Sequence, residues 1–89
     1  MENRRQTPLS AQKLPQQNKP LIEILSDQRV LIEHHKGICI YEPTLMQIKV
    51  CFGFIEVTGS SLMISCMSKD QLVINGRIEG VKILRGSSK

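Results

Sequence analysis

The side chains able to do chemistry in this chain are three cysteines (Cys39, Cys51 and Cys66), one adjacent pair of histidines (His34 and His35) and a set of scattered carboxylates. Nucleophilic catalysis by a thiol needs a base within reach and a group that orients it. Cys51 and Cys66 lie inside apolar runs with no histidine close in sequence, so they read as small hydrophobes packed in a core, and Cys39 shares that setting. A tetrahedral metal centre needs four ligands, usually in spaced pairs. His34, His35 and Cys39 offer three candidates, and adjacent histidines in a turn point apart, so the pair reads as turn residues. The acids Glu23, Asp27, Glu33, Glu42, Glu56, Asp70 and Glu79 fall mostly at turns or polar faces, with no local pair for acid–base work. No glycine cluster precedes Lys-Ser or Lys-Thr, the pattern that cradles phosphate. This inventory predicts no catalytic residue, no metal and no cofactor. An odd number of cysteines without a CxxC pair predicts free thiols in a reducing compartment.

The elements that must position these residues are short. At 89 residues the chain has room for one small domain. Apolar runs rich in Ile and Val recur at 21–25, 29–33, 38–41, 45–52, 54–58, 62–67, 72–74 and 78–84, separated by Gly, Ser, Asn, Asp or Pro. That spacing predicts an all-β domain, a small antiparallel meander, sandwich or barrel of about seven to eight short strands. Only the first run is short enough to be ambiguous with helix. Gly37 closes a polar turn, His34-His35-Lys36-Gly37, where a left-handed residue is wanted. Pro43 should end a strand, Gly53 should sit at a hairpin tip, and Ser68–Gln71 reads as a polar turn. Asn75-Gly76 signals a two-residue hairpin, with Gly80 following so closely that one of the two glycines can instead mark a bulge. The pattern Val57-Thr58-Gly59 is echoed 17 residues later by Ile74-Asn75-Gly76.

Alternation assigns Ile48, Val50, Ile55, Val57, Leu62, Ile64, Cys66, Leu72, Ile74, Val81 and Ile83 to a strongly apolar face. The opposite face is mixed, with Tyr41, Phe54, Met63, Met67, Val73 and Leu84 scattered over it, and such a face tends to be buried against a partner. For so small a chain, self-association is the economical candidate. Met63 and Met67 suit an adaptable docking surface or a second small core. Arg77 and Glu79 read as a solvated charge pair, with partner docking as the alternative.

Charge and composition set the boundaries. Residues 1–20 carry Pro8, Pro15, Pro20 and four basic residues against Glu2, which predicts a disordered basic arm. A β domain follows over 21–85, then a flexible end at 86–89. The formal charge of +4 sits in the tails, since residues 21–84 hold six basic residues against seven acids. That balance, with no Trp, one Tyr and two Phe, argues against a nucleic-acid module built on stacked rings. No apolar run approaches the roughly 18 residues of a spanning helix, and the first residues lead into no apolar stretch, so neither a transmembrane segment nor a secretory signal is expected.

From Arg29 onward the chain resembles the YabP/YqfC family of sporulation proteins of endospore-forming bacteria. Val30-Leu31-Ile32-Glu33-His34-His35-Lys36-Gly37-Ile38 is similar to the family's IENHRGI segment. Val57-Thr58-Gly59-Ser60-Ser61-Leu62-Met63-Ile64 matches its V-x-G…L-x-I element. Leu72 to Val81 matches its L-x-I-x-G-x-I-x-x-I ending, in which Arg77 and Glu79 lie. The chief departure is His34, where the family usually has Asn. The shorter YqfC-like branch looks closer than the YabP-like one. The resemblance implies a cytoplasmic protein of the mother cell, at the forespore surface or spore coat, with no catalytic residues and no cofactor. The expected activity is that of a non-enzymatic assembly module that binds itself or a membrane-associated sporulation or coat protein. The alternative is a small β-barrel regulator of sporulation that grips nucleic acid with its basic arms.

Overall fold

The computed structural model describes residues 19–86; the arm expected over 1–20 and the flexible end expected over 86–89 fall almost wholly outside them. The described residues are all β: β1 (Leu21–Leu25), β2 (Arg29–Glu33), β3 (Ile38–Glu42), β4 (Leu45–Val50), β5 (Gly53–Met67) and β6 (Gln71–Arg85). They form one open antiparallel sheet in the order β1-β2-β6-β5-β4-β3. The count is six rather than seven or eight because the last four apolar runs fuse in pairs into two strands of 15 residues. Asn75-Gly76 therefore makes no hairpin: it lies inside β6.

Three register shifts break the long β5–β6 ladder, at Thr58/Gly59, Ser60/Met63 and Ile64/Cys66. The outer two leave one residue unpaired, Glu79 on β6 and Ser65 on β5, while the middle one sets Ser61 and Leu62 against Gly76, and such bulges bend and twist a ladder. Ser61 (φ 53°) and Gly76 (φ 142°) hold positive-φ backbone at the middle shift. The first half of β5 pairs with β4 and the last half of β6, while the rest of β5 pairs with the first half of β6, which pairs with β2. Side chains from both halves share one core: Val30, Ile32, Leu72 and Ile74 from the β1–β2 side, and Met46, Ile48, Val50, Ile55 and Val57 from the β3–β4 side. All of these are at most 1% exposed. A flat single sheet cannot hide side chains so completely, so the two halves cover each other as layers. Each such side chain contributes about 1.5–3 kcal/mol of transfer free energy.

The arrangement reads the same from either end. Hairpin β1–β2 flanks β6 and hairpin β3–β4 flanks β5. The turn of each hairpin docks on the bend of its long strand. Thr44 and Pro43 carbonyls accept from the Gly59 and Leu62 N–H groups (3.2 and 2.9 Å), and Gln28 and Asp27 carbonyls accept from Gly76 and Ile78 (3.2 and 2.7 Å). Gly59 and Gly76, the two ends of the sequence echo, thus occupy equivalent positions. An added Cβ on Gly59 would overlap the Arg77 carbonyl, so backbone closeness excludes a side chain there.

The three cysteines are all exposed, against the expectation of core packing. Cys39 is the extra residue between the pairs Ile38↔Ile48 and Ile40↔Gln47, so it has no ladder partner. Cys51 lies in the two-residue β4–β5 turn. Cys66 would face inward by strict alternation, but the bulge at Ser65 sets it opposite Val73 on the outer face. A one-residue slip moves every later side chain to the other face. For the same reason Met67 leaves the face of Met63 and comes opposite the core residue Leu72. Ile83, also expected inside, is 58% exposed because β2 does not extend over that end of β6.

Candidate interaction surface

Two places gather the residues singled out above. The first is the crossover from β2 to β3, which carries His34, His35, Lys36 and Gly37 from one layer to the other. The His34 N–H donates to the Asp70 carbonyl (2.6 Å) and the Lys36 N–H to the Lys49 carbonyl (2.7 Å), tying the crossover to both layers. His34 has φ 65°, in the left-handed region that Asn, Asp and His enter most readily after Gly. The Asn usual in the resembling family and the His found here satisfy the same backbone requirement. Gly37, with φ 120°, fills the place expected of it.

The crossover runs between the β4–β5 and β5–β6 turns, so His34, His35, Lys36, Cys51 and Asp70 line one shallow hollow. Sequence spacing hid this meeting of a thiol, two imidazoles and a carboxylate. His35 is already committed: Nε2–H donates to the Ser68 carbonyl (3.0 Å), and Nδ1 accepts the Gly37 N–H (3.0 Å). Both ring nitrogens are spent and the tautomer is fixed by the bond each makes. His35 therefore acts as a clasp between the crossover and the β5–β6 turn, not as a base or ligand. Among the described residues, no group of three or more His, Cys, Asp and Glu is arranged to hold a metal ion.

The second place is the outer face of the β1–β2 layer. Its rows follow from the register. Leu25, Arg29, Asn75 and Met63 lie across one row, Glu23, Leu31, Val73 and Cys66 across the next, and Leu21, Glu33 and Gln71 across a third. Leu21, Leu25 and Met63 are 45, 55 and 57% exposed. The Arg29 Nε donates to Asn75 Oδ1 (3.3 Å), and Gln71 Nε2 donates to Glu33 Oε2 (3.2 Å), so polar groups on this face are engaged with one another between apolar ones. A groove lined by Glu23, Ile24, Leu25, Arg29, Leu31 and Val73 runs along the β1 edge. The outer face of the other layer is different in kind. There Glu56 stands opposite Lys82, and Lys49 Nζ caps the Phe54 ring at 5.2 Å from its centroid.

Of the docking candidates, Met63 belongs to the apolar outer face and Met67 does not. Arg77, opposite Ser60, and Glu79, the unpaired residue between Ile78 and Gly80, are exposed at the bend of β6. The structure brings neither to the histidine crossover. Sequence reasoning named no residue of β1 as a docking candidate, although the run Leu-Ile-Glu-Ile-Leu is apolar on both faces around a single charge. No helix among the described residues is long and apolar enough to cross a membrane.

In comparison with known families, the chain matches a model of the YabP family over residues 16–89. No curated protein and no solved structure matches the chain. The family match covers both hairpins and the whole β5–β6 ladder without separating the YqfC-like branch. The chain belongs to the YabP family, a family associated with sporulation.

Proposed function

We propose that this chain is a non-enzymatic interaction module of the sporulation machinery, acting in assembly of the spore envelope or coat. The observation that carries the reading is the β1 edge, with Leu21, Ile24 and Leu25 about half exposed beside an apolar groove. An exposed, regular, apolar edge strand is a template for strand addition, and natural proteins keep one where it is used. The nucleic-acid reading has less support. Over residues 19–86 eight basic residues face seven acids, and two of the basic ones, Lys49 and Arg85, lie over Phe54 and Phe52.

A fluorescent fusion in sporulating cells tests the proposal. The expected signal is a shell or focus at the forespore boundary that becomes diffuse when Leu25→Lys and Ile24→Lys are introduced together. A diffuse or nucleoid-associated signal from the unaltered chain overturns it.

A further inference from the structure

We infer that the partner of the β1 edge is β1 of a second copy, paired antiparallel about Glu23, so that two six-stranded sheets join into one. The inference rests on the assembly reading and names its first contact.

The backbone selects the kind of occupant. Gln28 and His34, flanking β2, bond β6 and the residue before it: the Gln28 carbonyl accepts from Gly76, and the His34 N–H donates to Asp70. Alternation along an antiparallel strand then turns Val30 and Ile32 toward β6, and Arg29, Leu31 and Glu33 toward β1. Their partners on β1 are Leu25, Glu23 and Leu21. The Gln28 N–H to Leu25 carbonyl bond (3.1 Å) agrees with that direction. Ile22 and Ile24 therefore point both N–H and C=O at the outer edge, where the sheet formed by the described residues has no further strand. Four unpaired groups in extended geometry call for an extended strand.

The side chains select the copy and the register. Leu-Ile-Glu-Ile-Leu reads the same in both directions. Centred on Glu23, a two-fold axis sets Leu21 opposite Leu25 of the second copy and Ile22 opposite Ile24 of the second copy, twice over. Every edge-facing N–H and C=O of both isoleucines is then paired. Sliding the register by two residues sets Pro20, which has no N–H, or Ser26, at φ 54°, opposite an isoleucine, and bonds are lost. The axis also matches an interface of closed two-fold symmetry, which ends after one addition and forms no fibre. Its one unfavourable contact is Glu23 against Glu23 of the second copy, with Glu33 and Arg29 the nearest charged neighbours on that face. Like charges directly opposite weaken strand pairing.

Sedimentation equilibrium on the full chain reads the proposal out. The unaltered protein is expected to be a dimer in reversible exchange with monomer. Ile24→Pro removes an edge-facing donor that makes no bond within the monomer, and should weaken the dimer by at least about tenfold while the circular dichroism stays β. Glu23→Gln should tighten it by about two- to fivefold. A mixture of Glu23→Lys with unaltered chain should favour the mixed dimer over either parent, which only the Glu23-centred register produces. A unaltered chain that stays monomeric, or a mixture without preference, overturns the inference. The assembly reading is decided separately, by where the fusion localises.

Discussion

The two edge strands occupy equivalent places in the fold and are finished differently. β3 carries a bulge at Cys39, ends at Pro43, and starts from a crossover pinned by Lys36 to β4. β1 has an unbroken five-residue register, and its one charge is Glu23. Bulges, prolines and charges are the devices by which sheets blunt an edge. The outer faces follow the same division: opposed charges and a capped aromatic on the β3–β4 layer, Leu21, Leu25, Leu31, Val73 and Met63 on the other. A near-symmetric fold has thus kept one closed side and one open side. On the reading proposed above, the open side is the working surface, marked by what was omitted from one half and supplied in the other.

The comparison can be pressed hardest in the core. Ile32 and Ile48 are equivalent and fully buried, so Ile32→Ala and Ile48→Ala should each lower unfolding free energy by about 3–4 kcal/mol in urea titrations. Unequal losses would break the equivalence of the halves. Next come the bends: Gly59→Ala and Gly76→Ala should each cost about 2–3 kcal/mol, since an added Cβ at either meets backbone. The edges should separate where the core does not. Leu25→Lys and Cys39→Lys should each change stability by less than about 0.5 kcal/mol, as exposed substitutions do. Only Leu25→Lys should reduce association in sedimentation. The smallest effect belongs to the crossover, where His34→Asn should shift the melting midpoint hardly at all. His34→Val should cost about 1–2 kcal/mol, because a β-branched residue resists the left-handed backbone.

The β class, the inward set Ile48, Val50, Ile55, Val57, Leu72 and Ile74, and the turns at Pro43 and Ser68 were legible because period-two alternation and turn chemistry are local. The bulges were not. Ser65 looks like any polar residue in an alternating run, yet it reverses the facing of Cys66 and Met67. Asn75-Gly76 is chemically a good hairpin turn, and the docking of the β1–β2 turn on Gly76 and Ile78 keeps it inside a strand instead. The family-like segment around His34 was visible, whereas its meeting with Cys51 and Asp70 depends on three connections converging in space. The β1 run was ambiguous because five residues are too few for either periodicity to show, and its place at the edge is set by the order of the sheet.

The way the two short hairpins clamp the long one has a kinetic side. β1–β2 and β3–β4 close over turns of three and two residues, contacts that chains form within microseconds. Joining β2 to β6 brings Arg29 to Asn75, across 46 residues, and loop-closure entropy must be met before any of that pairing is rewarded. The β2–β6 pairing therefore follows closure of the local hairpins, among them β5–β6 with its own three-residue turn. Folding speed should respond most to substitutions in β5 and β6, and a newly made chain exposes its apolar hairpin faces until its last third has left the ribosome.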